Sequence, residues 1–371
     1  MTDFDVLVVG AGQAGLATGH ALRGTGLRHL LLDAADDAGG SWPHYYDSLT
    51  LFSPARFSSL PGLPFEGDSG RYPAGSEVAA YLRSYAEHFA IPIRSASRVA
   101  SVRTAPGSHF EVDLLDGQTL RARSVVAATG GFGNPYVPRV PGLEQYGGRA
   151  MHVAAYRRPD GFAGQRVVVV GAGNSAVQVA YELAHVADVT LATRNPVSLR
   201  RQQPLGVDLH YWVAWSGVDR LPLGRRAGGA VGVLDQGRYA AAIAAGRPDR
   251  REMFRAFTGA GVQWTDGPTE DVDAVIFATG YQPDLGYLPP EAFAGDGWPA
   301  HRRGVSTTSP GLGFVGVPGQ TGLASATLRG VGPDARRVVR HLCQHLATRA
   351  AVGPVPEPVA TLVASGRPQA P

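Results

Sequence analysis

A chain of 371 residues has room for one large domain or two ordinary ones with real hydrophobic cores. Its formal charge is only +3, arginine greatly outnumbers lysine, and no basic stripe or arm stands out, which excludes an obvious nucleic-acid partner. One cysteine, Cys343, excludes a disulfide framework and a CxxC redox pair, and no window is apolar enough to span a membrane.

The N-terminus enters a strand at once, with no basic region followed by a long apolar stretch, so no secretory signal is expected and a cytoplasmic location is. Phe4 to Val9 reads as a buried strand and runs into Gly10-Ala11-Gly12-Gln13-Ala14-Gly15. A helix pattern and a second strand, His29 to Leu32, lead to Asp33. In such a unit the first glycine makes the tight turn, the second lets backbone approach a pyrophosphate, and the third lets helix pack on strand. The helix N-terminus faces the phosphates, and the acid binds ribose hydroxyls.

Gly39-Gly40-Ser41-Trp42 and the segment HYYDSLTLFSPARFSSLPG form a loop rich in aromatics. Most of these are expected to close a satellite core, with Trp42 left to line a pocket for a flat ring. Ser76 to Phe89 reads as an amphipathic helix with Ser76 as its N-cap. From Val99 to Thr129 three alternating runs are punctuated by Pro106-Gly107 and Asp116-Gly117, the pattern of a small antiparallel meander. It ends in Ala128-Thr129-Gly130, a turn suited to meeting a ligand at the carboxyl edge of a sheet.

After an extended proline linker at Pro135 to Pro141 comes YGGRAMHVAAY, residues 146–156, and then a second fingerprint. Gln165 to Val170 is the strand, Gly171-Ala172-Gly173-Asn174-Ser175-Ala176 the turn into a helix, and Val189 to Ala192 the next strand. This unit ends in Thr193-Arg194 where the first ended in Asp33. Arginine offers paired donors to a 2′-phosphate, whereas an acid repels it. The second site is therefore expected to take NADPH and the first a nucleotide without that phosphate, such as FAD. Residues 199–259, with LRRQQ, LHYWVAWSG and RYAAAIAAG, read as short broken helices whose role stays open between substrate cap and packing. Ala278-Thr279-Gly280 repeats the earlier turn, and GLGFVGV, 311–317, is a late strand. His341, Cys343 and His345 on the last helix do not share one face, so no metal site is expected. The Pro- and Ala-rich tail after Gly353 is expected to be disordered.

These parts predict an α/β protein of two Rossmann-type dinucleotide-binding domains, with a small antiparallel β-meander in the FAD domain. The FAD-binding domain would be discontinuous, 1–150 and 281–371, with the NADPH-binding domain inserted at 151–280. Over nearly the whole chain the sequence resembles the flavin-containing monooxygenases. Tyr146-x-Gly148-xxx-His152-xxx-Tyr156 is similar to that family's fingerprint, with tyrosine for its first phenylalanine, and GGSW, GAGNSA and ATGY match further motifs. The loop HYYDSLTLFSPARFSSLPG and ASATLRGVG resemble the bacterial ArsO-like or CzcO-like subgroup.

The resemblance implies that NADPH reduces FAD, that reduced FAD and O2 form a C4a-(hydro)peroxyflavin, and that a small soft nucleophile or oxo acid is oxygenated. It implies cofactor contacts at Gln13, Ala14, Ser41, Trp42, Val99, Thr129, Gly130, Asn174, Ser175, Ala176, Thr193, Thr279, Gly280 and Gly316, beside the fingerprint glycines, Asp33 and Arg194. His152, Tyr156 and Ser53 are the candidates at the reaction site. His152 is expected to couple the interdomain linker to cofactor position and not to move substrate protons. Many members carry asparagine where this chain has Leu51-Phe52-Ser53, which counts against ordinary N- or S-oxygenation. Tyr156 replaces the tryptophan of Baeyer–Villiger enzymes, which counts against ketone insertion and leaves oxidative decarboxylation of a 2-oxo acid open. The rival reading is an NADPH diaphorase that reduces a quinone or metal without oxygen transfer, and a non-catalytic redox sensor is a weaker third. The flavin would carry the hard chemistry, so no catalytic triad is required.

Overall fold

The computed structural model describes residues 2–107, 109–221 and 232–352. Strand β1 (Phe4–Val9) carries four consecutive buried residues, so both its faces must be covered. It pairs in parallel with β2 (His29–Leu32), reached through helix α1 (Gln13–Leu22). Helix α2 (Gly75–His88) and β3 (Ile93–Arg94) follow, then the antiparallel meander of β4 (Val99–Ala105), β5 (His109–Leu114) and β6 (Thr119–Ala127). β6 returns to pair in parallel with β1. Alternate residues of β1 then serve two cores. Val6 and Val8 pack with Leu16 and Leu82 of the helices, while Leu7 and Val9 pack with Phe110 and Val112 of the meander.

The next segment repeats this plan. Strands β7 (Arg149–His152) and β8 (Arg166–Val170), helix α3 (Asn174–Leu183) and β9 (Asp188–Thr193) come first. They are followed by β10 (Leu199–Arg201), α4 (Leu209–Ser216), β11 (Val233–Asp235), α5 (Arg238–Ala244) and β12 (Asp249–Glu252). A second antiparallel meander, β13 (Ala256–Phe257), β14 (Gly261–Gln263) and β15 (Thr269–Asp271), precedes β16 (Ala274–Phe277). The five strands in the order β12-β9-β8-β16-β7 make a parallel sheet. Val167 and Val169 face α3, and Val168 and Val170 face Phe254, Phe257 and Trp264. Each sheet thus has a helical layer on one face and a small meander near the other.

The chain then returns to the first sheet through β17 (His301–Arg302), β18 (Val305–Ser306) and β19 (Leu312–Phe314), the last parallel to β6. Helix α6 (Leu328–Val352) covers the helical face. The α/β class and the meander expected beside the first unit are present.

Two local expectations are corrected. Ala74, not Ser76, caps α2, because the Gly75 amide donates to the Leu49 carbonyl and the Glu77 carboxylate accepts from the Ala74 amide at 2.8 Å. LRRQQ opens as strand β10, paired with the distant β11, and not as a helix. In the second meander, β14 falls where Val262-Gln263-Trp264 reads as a strand, and its partners β13 and β15 were not foreseen. The tail expected to be disordered lies beyond the described residues. Among the described residues no helix is long and apolar enough to cross a membrane, and no group of three His, Cys, Asp or Glu is placed to hold a metal.

Candidate active site

The two glycine turns are built alike, and each is locked to one Ala-Thr-Gly turn. Gly10 has φ +105°, donates to the Leu32 carbonyl at 2.7 Å, and would carry a Cβ only 2.7 Å from the Ala128 oxygen. Gly171 has φ +138°, donates to the Ala192 carbonyl at 3.0 Å, and would carry a Cβ 2.4 Å from the Ala278 oxygen. A Cβ on Gly15 would fall 1.8 Å from the Gly10 oxygen, whereas the second unit accommodates the buried Ala176 at that place. Gly12 and Gly173 are the N-caps of α1 and α3, and neither helix has a side-chain cap or an acid in its first turn. First-turn amides have no partner inside a helix, so two uncapped positive ends remain for anions. By contrast, the Asp208 side chain caps α4.

At the first turn the Asp33 carboxylate is buried and accepts from the Ala11 and Ala35 amides. The Asp33 carbonyl accepts from the Ser97 amide at 2.6 Å, which brings the half-buried Val99 near the end of β2. A Cβ on Gly40 would sit 2.7 Å from the Gly12 Cα, so the loop carrying Ser41 and Trp42 lies on the fingerprint backbone. Gln13 accepts from the Trp42 indole at 3.1 Å and donates to the Ala326 carbonyl at 2.7 Å. Ala14 lies under Gly316, where a Cβ would come within 2.8 Å of the Ala14 methyl. Thr129 donates to the Asp284 carbonyl at 2.6 Å, and Gly130 turns at φ +68°. This glycine-lined cradle, with an uncapped helix end and a carboxylate beyond it, fits a dinucleotide.

The second turn opens on a cavity of about 970 Å³ between the two halves. Trp42, Tyr45 and Phe52 from the aromatic loop face Gly171 to Ser175, Arg194 and Thr279 to Tyr281 across it. Asn174 Oδ1 is buried without a protein partner, and a Cβ on Gly173 would meet nothing within 4 Å. Arg194 is exposed on the wall. Thr193, buried beside it, accepts from Arg250 at 2.9 Å, and Thr279 donates to the Tyr136 carbonyl. Tyr46 reaches across the junction and donates to Gln178 of α3 at 2.6 Å. An orphaned polar atom, free space at a glycine and an uncapped helix end fit a second nucleotide.

The three reaction-site candidates do not converge. His152 accepts from the Ala154 amide on Nδ1 at 3.1 Å, so Nε2 carries the hydrogen and donates to the Gly280 carbonyl at 3.1 Å. Burial lowers its pKa, against the Gly280 bond. With both nitrogens engaged, the ring ties the end of β7 to the turn after β16. Tyr156 is fully buried in the core of the second sheet, and its hydroxyl donates to Glu182 at 2.8 Å. Ser53 is paired with the Ser58 hydroxyl at 2.9 Å. Neither Tyr156 nor Ser53 lines the cavity. Tyr156→Phe is expected to cost about 1 kcal/mol of stability by stranding Glu182, read as a lower Tm. Turnover should stay within about twofold; a larger fall would put Tyr156 back at the reaction.

Sequence reasoning missed two polar clusters. Asp334 on α6 is buried and accepts from Thr321 and Ser325, which shapes the loop after β19. Burial pushes its carboxyl up, against those two bonds. Asp208 gathers Tyr72, Gln202 and His210. Only the Asp-x-His spacing hinted at the latter, since its other partners are remote in sequence.

The sequence profile of the pyridine nucleotide-disulphide oxidoreductases matches residues 7–316. A flavin-containing monooxygenase from Stenotrophomonas maltophilia superimposes with a TM-score of 0.81 at 35% identity, over 93% of this chain and 100% of that one. The chain is a flavin monooxygenase of the pyridine nucleotide-disulphide oxidoreductase family. An uncharacterized CzcO-like oxidoreductase of Geobacillus kaustophilus is 32% identical over 92% of this chain and 99% of its own. The indole-3-pyruvate monooxygenase YUCCA1 of Oryza sativa subsp. japonica is 32% identical over 75% of this chain and 77% of its own. Membership implies a flavin and a nicotinamide cofactor, a small-molecule substrate and O2.

Proposed function

We propose that this monooxygenase holds FAD at the first fingerprint and NADPH at the second, and oxygenates a small soft nucleophile or a 2-oxo acid. The FAD-binding part comprises 1–150 and 281–371, and the NADPH-binding part 151–280. The reading rests above all on one contrast: two glycine turns of the same build lead to a buried carboxylate, Asp33, and an exposed guanidinium, Arg194. Asp33 repels a 2′-phosphate and suits bare ribose hydroxyls; Arg194 reverses that preference. Bound flavin supplies the redox chemistry that divides O2 between substrate and water.

The chain's own residues bind, orient and keep water out. Trp42, Tyr45 and Phe52 give the cavity an apolar wall opposite the second fingerprint. His152 and Tyr146 hold the crossover between the halves, Tyr146 through a bond to the Val272 carbonyl at 2.6 Å. The oxo-acid option is supported by the YUCCA1 relative, whose name specifies indole-3-pyruvate.

Stopped-flow spectroscopy tests the reading. After anaerobic reduction by NADPH and mixing with O2, the flavin should pass through a spectrum distinct from its reduced and oxidised forms. Direct reoxidation with no such phase, together with fast quinone reduction, would make the protein a diaphorase.

A further inference from the structure

Residues 202–220 run from the end of β10 to the loops of the first sheet, and Asp208 is where they meet. Its side chain is 6% exposed. Oδ1 accepts from the amide and Nδ1 of His210, both at 2.8 Å, and Oδ2 from the Tyr72 hydroxyl and Gln202 Nε2, both at 2.5 Å. Burial opposes the charge, but the bonds from His210, Tyr72 and Gln202 outweigh it and hold the carboxyl down at about 2. An ionised carboxylate only accepts, so His210 Nδ1 carries a hydrogen and Nε2 is the ring atom left for proton exchange. Nε2 makes no hydrogen bond among the described residues, and the side chain is 13% exposed.

The ring packs against Phe52 and Phe57, at 5.9 and 6.1 Å between centroids. Phe52 lines the cavity, and its carbonyl accepts from Gln202 at 3.0 Å. Besides Asp208 and Tyr72, the titratable and charged groups around the ring are Arg56, over Phe57 and Tyr211, and Arg329, over Phe57 and paired with the buried Asp219 at 2.7 Å. Among the described residues, no Asp, Glu, His, Lys or Cys lines the cavity itself. The neighbouring His152 has both nitrogens engaged.

Resting on the monooxygenase reading, each turnover consumes a proton: substrate, O2, NADPH and H+ give oxygenated substrate, water and NADP+. We propose that His210 donates this proton from Nε2, with Asp208 as the positioning residue that fixes the tautomer and balances the imidazolium. The proton passes by way of solvent beside Phe52 and ends in the product water, and Nε2 is recharged from bulk solvent.

Uncoupled turnover has the same demand, since NADPH, O2 and H+ give NADP+ and H2O2, so O2 consumption by the FAD-loaded enzyme serves as the assay. Its rate should fall with rising pH along a single limb. His210→Asn, which keeps an N–H for Asp208, should lose that limb and slow about 100-fold on the acid side. Anaerobic flavin reduction by NADPH, a hydride transfer, should stay within about twofold. Asp208→Asn should move the limb to lower pH by removing the counter-charge.

A parallel pH profile in His210→Asn overturns the assignment. If the variants lose flavin, a wild-type rate that does not fall with rising pH overturns it alone. Failure of the monooxygenase reading looks different: all O2 ends as H2O2 with every substrate while the pH limb persists. An enzyme that consumes no O2 overturns both.

Discussion

Gly10→Ala is expected to strip the flavin from the purified protein. The residue sits at φ +105°, where a side chain is strained, and its Cβ would press on the Ala128 carbonyl at 2.7 Å. That oxygen belongs to backbone anchored by the Ala128 amide to Val9, so it cannot swing aside without opening β1 from β6. Strain and contact together should cost about 3 kcal/mol, or roughly 100-fold in flavin affinity. Gly24→Ala is the control. It has φ +73° but nothing within 4 Å of the new methyl, so it should cost about 1 kcal/mol and keep the flavin. Flavin-to-protein absorbance ratios after gel filtration read both. Equal retention in the two variants would mean that the first turn does not cradle the cofactor.

Arg194→Ala should erase the preference for NADPH. A charge-assisted contact to the 2′-phosphate contributes about 2 kcal/mol, so the NADPH Kd should rise roughly 30-fold while that of NADH moves less than about twofold. Arg194 is exposed, so the wild-type preference should also shrink with added salt. Equal losses for both nucleotides would assign the arginine to something other than the 2′-phosphate.

Both predictions rest on features that can be read locally. A β-branched run, a glycine turn, a helix and a second strand lie within some thirty residues. Their chemistry is written in residue types: glycine where backbone must touch backbone, acid or arginine at the strand end. The alternation in β5 was equally legible, because the meander has one buried face and one wet one.

Residues 199–259 resisted for the opposite reason. β10 pairs with β11 across more than thirty residues, and three-residue strands carry no usable period. The start of α2 was misplaced because the deciding partner, the Leu49 carbonyl, lies far outside the helix. The reaction-site candidates show the same limit. Nothing in the sequence says that Tyr156 meets Glu182, that Ser53 meets Ser58, or that His152 spends both nitrogens on backbone.

The sequence by itself therefore determined two dinucleotide-type units, the charge that closes each, and membership in a flavoprotein family. Those signals depend on short-range sterics and residue chemistry. Only the tertiary structure decided which polar atoms remain available, because burial and hydrogen-bond partners come from segments distant in the chain. It removed Tyr156 and Ser53 from the cavity wall and brought Tyr72, Gln202 and His210 together on Asp208 beside Phe52.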